Sequence, residues 1–161
     1  MNKLSILLQQ LHIDTNQAFS QADITRVVVH HDSRYTFYIS SPELMPLSNV
    51  KALKEAQHLF PYPCEFLFET TSNHFREEDV IEYSDYIMHH VLGNVPEMQS
   101  MTRDDMDLKD NILTLHTVNH IQCDSIKTQL NEMRTLLSGF GINIDLRAEV
   151  DADNHEYQQT I

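Results

Sequence analysis

Residues 22–39, A-D-I-T-R-V-V-V-H-H-D-S-R-Y-T-F-Y-I, constrain the fold more than any other stretch of the chain. Val27 and Val29 alternate with Val28 and His30, so one side of an extended segment can be buried while the other stays wet. Asp32, Ser33 and Arg34 break the apolar run, after which Tyr35, Phe37 and Ile39 alternate with Thr36, Tyr38 and Ser40. Period-two patterning on both sides of a polar turn predicts a β-hairpin, with strands near 24–30 and 35–40.

Helical signals surround the hairpin. Leu4, Leu7, Leu8 and Leu11 form one apolar face of a helix over residues 2–12. Pro42 and Pro46 punctuate a loop, and Ser48 or Asn49 can cap a helix with Val50, Leu53, Ala56, Leu59 and Phe60 inward. Pro61 and Pro63 end it, and Cys64, Phe66 and Phe68 alternate with Glu65, Leu67 and Glu69 as a strand over 64–70. This first unit reads α-β-β-α-β over residues 1–72. Glu77, Glu78 and Asp79 open the next helix, where acids complement the helix dipole. Val80, Ser84, Ile87, Met88 and Val91 form its buried stripe, and Gly93, Asn94 and Pro96 stop it. Residues 97–110 read as a turn of helix and a loop, and 112–118 as a strand. Ile126, Leu130, Met133 and Leu137 mark one long helix, capped at Gly139 or Gly141. Strict alternation predicts a last strand over 142–150. The second unit, residues 73–150, reads α-β-α-β, and 151–161 reads as a tail or the start of a linker. The fold class is α+β, two small consecutive units with helices packed on small sheets.

Composition narrows function. The chain has 161 residues, 41% of them apolar, which suits one domain or two small ones with a packed core. No apolar run approaches the ~18 residues of a membrane span, and the start suits an amphipathic helix better than a signal peptide. Cys64 and Cys123 make no disulfide framework or CxxC pair and fit a reducing, cytoplasmic setting. Twenty-four acids against eleven bases give a net charge of −13. With no basic stripe to offset it, that field opposes nucleic-acid binding.

Candidate chemistry is thin. His30 and His31 lie on a strand and point to opposite faces, and His89 and His90 are about 100° apart on a helix. His116, His120 and Cys123 are the best metal cluster, but spacing suggests no fourth ligand. Asp104, Asp105 and Asp107 lack the D-x-D-x-D-G pattern of a calcium loop. There is no nucleophile elbow, and Gly93, Gly139 and Gly141 form no phosphate loop. No catalytic, cofactor-binding or metal residue is assigned, and the partner-binding residues stay unknown. Met98, Met101 and Met106 have two readings: exposed, adaptable contacts for a partner, or filler of the seam between the units.

The hairpin also carries a resemblance. Leu7-Leu8-Gln9-Gln10, then Ile24, Val27, Val29 and His30, the turn at Ser33 and Arg34, and Phe37 and Ile39 resemble the N-terminal region of PolC-type DNA polymerase III of low-GC Gram-positive bacteria. Leu44, Pro46, the helix to Phe60 and the closing G-F-G-I-N-I-D-L-R-A-E at 139–149 extend it over about residues 3–150. Tyr35 stands where the family carries Trp, and the turn is about one residue shorter. The resemblance implies the N-terminal part of a much longer polymerase, with its PHP, exonuclease and polymerase parts beyond residue 161. It also implies a first domain similar to the polymerase-binding end of the clamp-loader tau subunit and a second, KH-like domain. The implied role is non-catalytic protein contact in the replisome, with tau as a candidate partner. The alternatives are a free-standing adaptor and a KH-like nucleic-acid-binding module, although KH folds grip RNA through a G-x-x-G loop and none exists here.

Overall fold

The computed structural model describes residues 2–93 and 95–151. Most of the tail expected at 151–161, and Asn94 among the helix stops, lie outside the described residues. The described chain separates into two compact units. Residues up to Asn73 group with Gly139–Ile142; His74–Ser138 group with the residues from Asn143 onward. Both units are α+β, each built on a three-stranded sheet.

In the first unit, helix α1 (Lys3–Gln10) starts where the Asn2 side chain accepts from the Ser5 N–H. Its Leu4, Leu7 and Leu8 are buried, as the spacing requires. A short helix α2 (Gln17–Ser20), capped by Asn16, follows; its single turn leaves no periodic signal in the sequence. Strands β1 (Asp23–Val29) and β2 (Tyr35–Ser41) pair antiparallel, as the hairpin pattern predicts. The register shifts between Ile24 and Arg26, a bulge at Thr25. That extra residue changes the parity of the strand and puts Ile24, Val27 and Val29 on one face, opposite Ile39, Phe37 and Tyr35.

Helix α3 (Leu47–Ala56) begins after Pro46 without a side-chain cap. Neither Ser48 nor Asn49 caps it, because both lie inside the helix. Asn49 is instead buried, and its amide exchanges two hydrogen bonds with the Asn16 amide, at 2.9 and 3.1 Å. A 3-10 turn, Gln57–Leu59, follows. It changes the helical phase, so Leu59 is exposed and Phe60 half-buried instead of continuing the inner face. Strand β3 (Cys64–Thr70) then pairs parallel with β2. The strand order is β1-β2-β3.

In the second unit, α4 (Glu77–Tyr86) buries Val80, Tyr83 and Ser84 and runs into a π turn, Ile87–Val91, closed by Leu92 N–H to Ile87 O at 2.9 Å. Tyr83 joins the expected stripe, while Val91 is only half-buried. Burial, with Glu82 and Asp79 nearby, pushes the Tyr83 phenol well above its ordinary pKa. Ser84 Oγ is buried and has no hydrogen-bond partner among the described residues. Ser84→Ala is therefore expected to stabilise this unit by about 1 kcal/mol, since it removes an unsatisfied hydroxyl and raises helix propensity. Urea unfolding followed through amides of this unit checks it; a loss of stability would show that the hydroxyl contributes.

Pro96 opens helix α5 (Pro96–Gln99) at its first turn, where a missing N–H costs nothing. The stretch read as a loop then contains a 3-10 turn, Arg103–Asp105, and strand β4 (Met106–Lys109), which the sequence pattern did not reveal. Only four residues long, β4 carries too little alternation to register. It pairs antiparallel with β5 (Ile112–Thr117) across a turn in which Asp110 and Asn111 both have positive φ. The single long helix expected from Ile126 to Leu137 is two: α6 (His120–Lys127), capped by Asn119, and α7 (Leu130–Gly139). Ile126, Met133 and Leu137 are buried on both sides of the break, so the stripe survives while the backbone does not continue. Strand β6 (Asp145–Val150) is parallel to β5 and starts three residues later than expected. Gly141, at φ +94°, turns the chain before it. The strand order β4-β5-β6, antiparallel then parallel, repeats that of the first unit. The second unit is thus α-β-β-α-β with extra helical turns, not α-β-α-β.

Candidate functional site

In the first unit the sheet is covered at one end and open at the other. Ile24, Ile39 and Phe68 are buried, as are Leu8 of α1 and Val50 and Leu53 of α3. On the same face, Val27 is 39% and Val29 58% exposed. The alternation of the hairpin therefore identifies the core face correctly but not its extent. Beyond the covered end the face carries aromatic rings. Tyr35 stacks on Tyr62, with centroids 5.3 Å apart and planes 15° apart, and meets Phe60 edge-on at 5.1 Å. Phe37 stacks on Phe66 at 5.7 Å. Phe37 and Phe66 are buried, but Tyr62 is exposed and Tyr35 and Phe60 half-buried, and these three rings, fixed by one another, present apolar area with little conformational freedom left to lose, which favours contact with a protein. Sequence patterning missed Tyr62 and Leu59 as surface residues; the signal was Pro61 and Pro63, which force the chain out of the helix on either side of Tyr62.

The other face of this sheet carries a polar chain across three strands. Thr36 donates its one hydroxyl proton to Glu65 Oε1 at 2.9 Å, so His30 Nε2, also 2.9 Å away, is the donor to Thr36 Oγ1. Arg26 lies 4.0 Å from the centre of the Tyr38 ring on this same side. These contacts knit the strands together. Cys64 is half-buried, and burial pushes its thiol pKa up, which disfavours the reactive thiolate. Lys54 lies 5.0 Å from the Phe140 ring centre, and burial lowers its pKa.

The candidate ligands of the second unit are dispersed. His116 pairs with Asp107 at 2.9 Å, His120 is exposed at the start of α6, and Cys123 is buried. Asp105 turns back to the Thr102 N–H and hydroxyl at 2.9 and 3.1 Å. Asp104, Asp105 and Asp107 thus serve different local needs. Among the described residues no group of three or more His, Cys, Asp or Glu side chains is placed to hold a metal ion. His89 bonds to Asp85 and to the Gln99 carbonyl, while His90 lies against the Tyr86 ring. Met98, Met101 and Met106 are all buried, which overturns their reading as exposed partner contacts. No described helix is long and apolar enough to cross a membrane.

The charge is divided unevenly. Up to Asn73, seven acids stand against five bases; from His74 to Asp151, fifteen stand against six. The second unit therefore carries most of the negative field.

Comparison with known proteins bears on the first unit. Residues 3–58 match the family model of the DNA polymerase III polC-type N-terminus I. The resemblance read from the opening helix and the hairpin is borne out over this segment, which contains α1, α2, β1, β2 and α3. The match takes in β1, β2 and the turn between them over their full length, and stops before Phe60, Tyr62 and β3. Among curated proteins none matches the chain.

Proposed function

We propose that this chain is the non-catalytic N-terminal module of a PolC-type replicative DNA polymerase III and that it makes protein contacts within the replisome. The observation that carries the reading is the match of residues 3–58 to the polC-type N-terminus. The preorganised aromatic surface at Tyr35 and Tyr62 supports protein contact. The negative charge supports a partner other than nucleic acid. The second unit, with two antiparallel strands, two helices and a parallel returning strand, suits the KH-like expectation, yet the turn between α6 and α7 carries no glycine to let a backbone phosphate approach. The clamp-loader tau subunit is the proposed partner, the cytoplasm the proposed location, and no cofactor is proposed for this part. The parent chain is proposed to continue into polymerase and 3'-5' exonuclease parts.

The test is the genomic reading frame. It is expected to run on past Ile161 into a long chain with polymerase and exonuclease motifs. A stop codon shortly after Ile161 would contradict the module reading and favour a free-standing adaptor.

A further inference from the structure

Two of the exposed large apolar side chains in the described chain, Val118 (41%) and Ile121 (75%), line one groove of about 310 Å³ in the second unit. Pro96 forms part of the opposite wall. The polar groups between them are already engaged. Gln122 accepts from the Val118 N–H at 2.9 Å and donates to Ser100 Oγ at 3.2 Å, and Asn119 caps α6 through the Gln122 N–H. The remaining charge on the wall is the Glu97 carboxylate, which makes no ion pair among the described residues. An exposed isoleucine over a satisfied polar rim, with one free carboxylate beside it, calls for an apolar group that brings positive charge.

We propose that this groove takes up a segment of a partner protein in which an aliphatic side chain is flanked by lysine or arginine. The aliphatic group packs against Val118, Ile121 and Pro96, and a flanking cation pairs with Glu97. The fifteen-to-six excess of acids in this unit steers such a segment in and disfavours an acidic one. Nucleic acid and anionic membranes are disfavoured for the same reason. The proposal rests on the reading of the chain as a protein-contact module and adds to it a second surface, separate in sequence from the aromatic cluster of the first unit.

The probe is a short synthetic peptide of alternating lysine and leucine, titrated into the full chain and followed by amide NMR shifts. Peptides of the same length alternating lysine with serine, and glutamate with leucine, are the controls. The lysine–leucine peptide is expected to shift the amides of Glu97, Val118 and Ile121. Ile121→Lys is expected to weaken its binding about tenfold or more, and Glu97→Gln severalfold. Because Ile121 is so exposed, unchanged shifts of the β4–β6 amides confirm that the variant is folded. No binding, shifts confined to other residues, equal binding of the lysine–serine peptide, or indifference to Ile121→Lys would each overturn the proposal. Self-association of the chain that Ile121→Lys abolishes would overturn it in favour of a second copy. A failed titration with tau still bound by the chain would remove only this groove; loss of tau binding itself would count against the functional reading.

Discussion

Ile39→Ala is expected to lower the stability of the first unit by about 3 kcal/mol, whereas Val29→Ala, on the same face of the same sheet, is expected to cost less than about 1 kcal/mol. Ile39 is 1% exposed and Val29 58%. Removing the Ile39 side chain beyond Cβ loses burial and leaves a cavity in the core that its surroundings only partly fill. Removing the two γ-carbons of the exposed Val29 loses little but strand propensity. Urea unfolding followed through β2 and β3 amides measures both. Equal costs would mean that the open end of the sheet is covered in solution, and the aromatic cluster beside it would then be core and not contact surface.

Asn49→Ala is expected to cost the first unit about 1 kcal/mol, although the alanine is the better helix former. The buried Asn49 amide and the exposed Asn16 amide bond to one another, so losing Asn49 leaves Asn16 to water, while losing Asn16 leaves the Asn49 oxygen buried without that partner. Asn16→Ala is expected to cost at least as much, because Asn16 also caps α2 through the Phe19 N–H. The double variant should be less destabilised than the sum of the two by about 1 kcal/mol or more, since the pair is lost only once. Additive costs in that cycle would show that each amide is satisfied independently.

These residues also show where patterning along a sequence is informative. The hairpin, α1, β3 and the hydrophobic positions of α3 were legible because period-two and period-3.6 burial write themselves directly into the order of residues. The bulge at Thr25 was not, because it alters parity without altering composition. The true start of α3 was hidden by Asn49, a residue that favours helix caps and here spends its amide on a distant partner. Strand β4 is too short to show a period, and the break between α6 and α7 falls where a continuous apolar stripe masks it. No pattern along the chain marks a surface: Ile121 and Tyr62 are ordinary core residue types, and only the fold turns them outward. His116, His120 and Cys123, close in the sequence, share no common centre in the fold: His116 pairs with Asp107 and Cys123 is buried.

The proposed role is contact with protein, and not with nucleic acid, within a replicative polymerase. Its most direct test is parallel titration of the full chain with the clamp-loader tau subunit and with primed DNA, across a series of salt concentrations. Saturable binding to tau, with no measurable affinity for primed DNA at physiological salt, is the predicted result. Tight, steeply salt-dependent binding to primed DNA with none to tau would contradict it.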